Sequence, residues 1–172
     1  MNKILSEIKK IQQELDEKIY LQSQVEWQWN SEINIKRLKL CLLVEIGEFA
    51  NELKTFKIWS KKHNLQLEKA KEELIDCLSF FIGLSLVKKI PIEEFEFNIQ
   101  KLETNINDLL LSFFSETINL SIDEKPFIST YQKWWEVFCK ILINLNFSIV
   151  ELLEVYKKKI FVNKQRVLRG GH

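Results

Sequence analysis

Apolar residues recur along this chain at the spacing of an α-helix, and no stretch alternates with the period of a β-strand. Ile4, Ile8, Ile11, Leu15 and Ile19 fall three or four residues apart, which places them on one face of a helix over 2–20. The pattern lapses over 21–31, a connection carrying Trp27 and Trp29, and resumes in a second helix over about 32–55. A polar and aromatic stretch, 56–64, reads as a loop before a third helix over about 67–87. Pro91 suits the first position of a fourth helix, expected to reach about 117. Residues 119–123 break the pattern. Ser121 with Glu124, and Ser148 with Glu151, match a capping box and start helices over about 122–146 and 149–168. With only four Gly and two Pro, the chain has few turn residues for a sandwich or barrel. The expected fold is all-α, one domain over 1–172 built as a bundle of five to six main helices.

A formal net charge of +1 supplies no field to draw the chain to nucleic acid or to a membrane surface. Cys41, Cys77 and Cys139 are scattered through apolar helical sequence without metal or redox spacing. They read as reduced core residues of a cytoplasmic protein. The first ten residues are charged and amphipathic, unlike a signal sequence. The longest apolar run, 77–87, is too short to span a bilayer. Neither a membrane nor a nucleic-acid partner is expected.

Two carboxylate pairs carry the chemistry. Glu45 and Glu48 lie in the second helix, and Glu73 and Asp76 repeat their spacing in the third. Glu-x-x-Glu alone says little, since it recurs at Glu14/Glu17, Glu93/Glu96 and Glu151/Glu154. Context separates these two pairs. Leu38, Cys41, Glu45, Glu48 and Glu52 share one stripe, beside a stripe of Leu42, Ile46, Phe49 and Leu53. The acids thus continue an apolar line. Asp76 is bracketed by Leu74, Ile75, Cys77 and Leu78, so most orientations of its helix bury it at least in part.

A buried, uncompensated carboxylate costs several kcal/mol, and like charges nearby add repulsion. A raised pKa, a basic partner or a metal relieves it. Oxygen-only ligands suit Mg²⁺ or Mn²⁺. The residues by themselves fit either such a site or a structural ion-pair cluster. A di-iron bundle is disfavoured because neither His63 nor His172 lies three residues after a Glu. After Glu154 the chain has six basic residues and no acidic one. Lys159, Asn163 and Arg166 share a face there, which fits a helix end favoured by the macrodipole or a frayed tail.

Taken together, Leu43-Val-Glu45-Ile-Gly-Glu48-Phe-Ala-Asn-Glu52, Phe56-Lys57-Ile-Trp59-Ser60-Lys61 and Glu73-Leu-Ile-Asp76 resemble the dimeric all-α dUTPases. These belong with the MazG-type nucleoside triphosphate pyrophosphohydrolases, which share the paired carboxylate signature. The Phe-Lys-x-Trp-Ser loop narrows the likeness to the dUTPase branch. Ile11-Gln12-Gln13-Glu14-Leu15-Asp16 is similar to that family's N-terminal Met-Gln-x-x-Leu-Asp segment. Tyr156-x-x-Lys159-x-x-x-Asn163-x-x-Arg166-x-x-x-Gly170 is similar to its C-terminal motif. Three positions depart from the pattern: Ser79 replaces a common His, Ile160 an Asn, and Val167 a Gln.

The resemblance implies an all-α NTP pyrophosphatase fold and hydrolysis of dUTP to dUMP and pyrophosphate, with dUDP as a second substrate. It implies two or three Mg²⁺ ions, with Mn²⁺ as a substitute, on Glu45, Glu48, Glu73 and Asp76. Glu48 is the expected general base. Trp59 and Phe80 would stack on uracil, and Gln12 would bond its edge. Lys57 and Lys61 would serve phosphates, and Lys159, Asn163 and Arg166 would close over the triphosphate. A homodimer is also implied. The departures leave open a MazG-like enzyme with another base preference, for dCTP or a non-standard nucleotide. The non-enzymatic alternative is a helical interaction protein with a structural acidic cluster.

Overall fold

The computed structural model describes residues 2–22, 31–57, 59, 66–96 and 104–169. Among them are six α-helices: α1 (Asn2–Gln22), α2 (Glu32–Leu53), α3 (Leu67–Val87), α4 (Ile106–Asn119), α5 (Ile128–Asn144) and α6 (Ile149–Leu168). No strand occurs among the described residues, so the all-α expectation holds. None of the described helices is long and apolar enough to cross a membrane.

Local chemistry sets several helix ends. The Ser31 hydroxyl accepts from Asn34 N at 3.3 Å to open α2, and Ser148 accepts from Glu151 N at 3.2 Å to open α6. At the far end of α2, Lys54 turns left-handed at φ 57° and its N–H reaches Ala50 O at 3.1 Å. Asn146, at φ 50°, reverses the chain between α5 and α6, a conformation asparagine tolerates.

Two expected helix starts are corrected. The fourth helix does not begin at Pro91. That residue precedes a short 3₁₀ turn, Ile92–Glu94, which stops at extended Phe95. The helix starts instead at Ile106, where Asn105 accepts from Asn107 N at 2.8 Å. Buried Ile92 and Phe95 anchor the turn to the core, and α1 holds it by Lys9 Nζ donating to Glu93 at 2.7 Å. The Ser121/Glu124 capping box does not form either. Ser121 Oγ donates to Asp123 Oδ2 at 3.0 Å, and α5 begins only at Ile128. Pro126 explains this, because proline pushes the preceding residue out of helical backbone.

α2 and α3 pack side by side, and Leu42, Ile46, Phe49 and Leu53 of one and Leu74, Leu78 and Phe81 of the other are all buried in the core. Each such side chain contributes about 1.5–3 kcal/mol through apolar burial. Behind α3, Phe81 stacks on Trp134 of α5 at 3.9 Å between ring centroids. Trp134 also donates to Thr117 Oγ1 of α4 at 2.8 Å. Trp134 and Trp135 are both core residues. The remaining flank of α3 faces α1 and α6, where the polar residues gather.

Candidate active site

Helix pairing turns the two sequence pairs into one site. The buried stripe of α2 faces the core, which leaves Glu45 half-buried beside α3 and Glu48 exposed. On α3, Leu74, Ile75, Cys77 and Leu78 are all buried, so Asp76 emerges only at the helix edge. One carboxylate oxygen from each of Glu45, Glu73 and Asp76 lies within 4.8 Å of the others. Glu48 lines the same cleft without joining those three oxygens.

The electrostatics are those of crowded acids. Burial, then the charges of Asp76, Glu48 and Glu73, push Glu45 up to about 7. Burial also raises Asp76 and Glu73 above their ordinary values, against the opposing pull of Lys159. Lys159 reaches over from α6 and donates to Asp76 Oδ2, and to Glu72 O at 3.1 Å. Three converging hard oxygen donors, each held uncomfortably charged by burial, fit a divalent cation such as Mg²⁺. Glu45, Glu73 and Asp76 would hold it.

A cleft of about 560 Å³ opens on this cluster. Glu45, Glu48, Glu72, Glu73, Asp76 and Phe80 form its α2–α3 wall, and Lys158, Lys159, Asn163 and Arg166 its α6 wall. Acids on one wall and bases on the other suit a phosphate-bearing ligand with a cation between them. Sequence reasoning passed over Glu72 and Lys158. The helical period could have found Lys158, four residues after Glu154 and eight before Arg166, whereas Glu72 enters through a backbone carbonyl, which no side-chain pattern reveals.

Other expected contacts lie outside this lining. Gln12 is buried at the α1–α6 contact, where Nε2 donates to Asp16 Oδ1 at 2.7 Å and Oε1 accepts from the Tyr156 hydroxyl at 2.5 Å. Lys57 donates to Asn51 Oδ1 at 2.6 Å and sits over the Phe56 ring. Trp59 is 73% exposed, unlike a tryptophan packed on the bundle. Lys61 falls outside the described residues. Two of the three departures from the family pattern, Ile160 and Val167, are buried apolar residues of α6, turned away from the cleft.

Fold and site define an all-α protein with an acidic cleft faced by basic side chains. A family model described as dUTPase matches residues 4–170, and the chain belongs to that family. It is therefore a dUTP diphosphatase, an enzyme of nucleotide metabolism. No curated protein matches the sequence.

Proposed function

We propose that the protein hydrolyses dUTP to dUMP and pyrophosphate in a Mg²⁺-dependent reaction, with dUDP as a second substrate, and so limits uracil incorporation into DNA. The convergence of Glu45, Glu73 and Asp76 opposite Lys159, Asn163 and Arg166 carries this reading. When bound on these acids together with Glu48, two or three Mg²⁺ ions, or Mn²⁺ in their place, would offset phosphate charge and acidify the attacking water.

The chain's own residues do the rest. Glu48, outside the three converging oxygens, accepts the proton of the attacking water. The water oxygen bonds to the β-phosphorus as the bridging oxygen leaves with dUMP. Lys159, Asn163 and Arg166 grip the polyphosphate from α6, and Lys57 and Lys61 assist from the loop after α2. Phe80 and Trp59 flank the uracil, and Gln12 meets its edge. The protein acts as a cytoplasmic homodimer in this reading.

A nucleotide panel assayed for pyrophosphate release tests it. With Mg²⁺, dUTP is turned over in preference to dCTP, dTTP and UTP, and chelation with EDTA abolishes turnover. Full activity in EDTA would overturn the metal assignment. Light scattering on the eluted protein decides the dimer.

A further inference from the structure

Asp16 and Tyr156 belong to the sequence motifs at either end of the chain, yet neither reaches the cleft lining. They meet instead at Gln12. The Tyr156 hydroxyl, fully buried, donates to Gln12 Oε1, and Gln12 Nε2 donates to Asp16 Oδ1 at 2.7 Å. Ser79, one turn after Asp76 on α3, stands against the Tyr156 hydroxyl while its own Oγ donates to Ile75 O at 3.0 Å. The other Asp16 oxygen is buried without a hydrogen-bond partner among the described residues. It faces Gly83, where an added Cβ would lie 3.6 Å away. The group is thus a buried polar chain running from α1 through α6 to α3, ending one helical turn from the acidic cluster.

This chain decides which way round the Gln12 amide sits. An ionised carboxylate only accepts, so the NH₂ end must face Asp16 and the carbonyl must face Tyr156. That leaves one N–H and one carbonyl lone pair of the amide uncommitted by these two bonds. Uracil offers an N3–H donor beside two carbonyl acceptors, whereas cytosine reverses the pattern at N3 and C4. An amide able to flip could serve either base. One that would have to break two buried hydrogen bonds to flip could serve only one.

We propose that Asp16 and Tyr156 are positioning residues that fix the Gln12 amide and thereby set the enzyme's preference for uracil over cytosine. The inference rests on the reading that Gln12 meets the base edge. Burial pushes Asp16 up to about 7, so the carboxylate is ionised at pH 8, where the test belongs.

The test compares kcat/KM for dUTP and dCTP at pH 8 in the wild type, Asp16→Asn, Tyr156→Phe and Gln12→Ala, with Mn²⁺ binding measured by calorimetry. Both Asp16→Asn and Tyr156→Phe are close to isosteric. They are expected to lower the dUTP-to-dCTP ratio about tenfold, mainly through KM for dUTP, with Mn²⁺ affinity unchanged. Equal losses on both nucleotides, or a fall in thermal stability alone, would mean a structural role and overturn the proposal. If Gln12→Ala collapses the ratio while the other two preserve it, the positioning role fails and base reading by Gln12 stands. If Gln12→Ala leaves the ratio intact, the reading on which the proposal rests has failed.

Discussion

Lys159 of α6 donates to the Asp76 carboxylate of α3, and this ion pair is the only one among the described residues that enters the converging acids. Both side chains are 20% exposed, so the pair is partly shielded from water. The lysine supplies in the protein alone some of the positive charge that a cation would supply in the cleft.

Replacing Lys159 with Met should therefore destabilise the metal-free enzyme by about 1–2 kcal/mol, since it leaves Asp76 without its partner. Added Mg²⁺ should raise the melting temperature of the variant by more than that of the wild type. Differential scanning fluorimetry with and without Mg²⁺ measures both, and equal Mg²⁺ shifts would show that the lysine and the cation do not share Asp76.

Glu45 makes metal binding sensitive to pH. Its folded pKa, about 7, lies above the ordinary carboxylate value, so protons compete with a cation as pH falls through 7. Mn²⁺ affinity measured by calorimetry should drop between pH 8 and pH 6. A Glu45→Gln variant should bind more weakly at pH 8 and lose that part of the pH dependence. A wild-type affinity that is flat across the range would remove Glu45 from the ligand set.

Asp16 should shape the pH dependence of stability. Burial raises its folded pKa from 3.8 to about 7, opposed by its bond from Gln12 and abetted by the charge of Glu17. The native state therefore holds this proton more tightly than the unfolded chain. The penalty for ionising it is absent below pH 4, grows as pH rises toward 7, and is fully present above. Asp16→Asn should accordingly gain stability relative to wild type as pH increases, by up to about 4 kcal/mol at pH 8. Paired urea denaturation curves at pH 5 and pH 8 check the sign. A variant that loses ground at the higher pH would contradict it.

Glu48→Gln separates chemistry from structure. As the proton acceptor, Glu48 should cost at least about a hundredfold in kcat when neutralised, while the fold persists. Removing one charge from the crowded cleft should leave the melting temperature unchanged or slightly higher. Retained turnover would assign the base elsewhere.

The helices are legible where a buried stripe runs unbroken, as along α2 and α3, and the start of α6 is sharpened by the Ser148 cap, whereas α3 has no side-chain cap. They were misjudged where proline chemistry pointed two ways. Pro91 read as the first residue of a helix and instead leads a 3₁₀ turn, and Pro126 vetoed a capping box that Ser121 and Glu124 spell correctly. At the site, apolar bracketing of Asp76 located the acids because burial of a carboxylate leaves a mark in sequence. The Asp16–Gln12–Tyr156 chain left no such mark. Gln12 and Asp16 are one helical turn apart, but Tyr156 lies 144 residues from Gln12, and only the packing of α6 against α1 brings it there.

The stack of Phe81 on Trp134 bears on how the cleft can change shape. Turning α3 would pull apart an aromatic pair 3.9 Å between ring centres and the bond from Trp134 to Thr117. Two ion pairs join α6 to α3, Lys159 with Asp76 and Lys71 with Glu151, and the first lines the cleft, where Lys159 can trade Asp76 for an incoming phosphate. The acidic wall is thus bolted from behind by aromatic rings, and the part that can yield to a ligand is the lysine side chain in front of it.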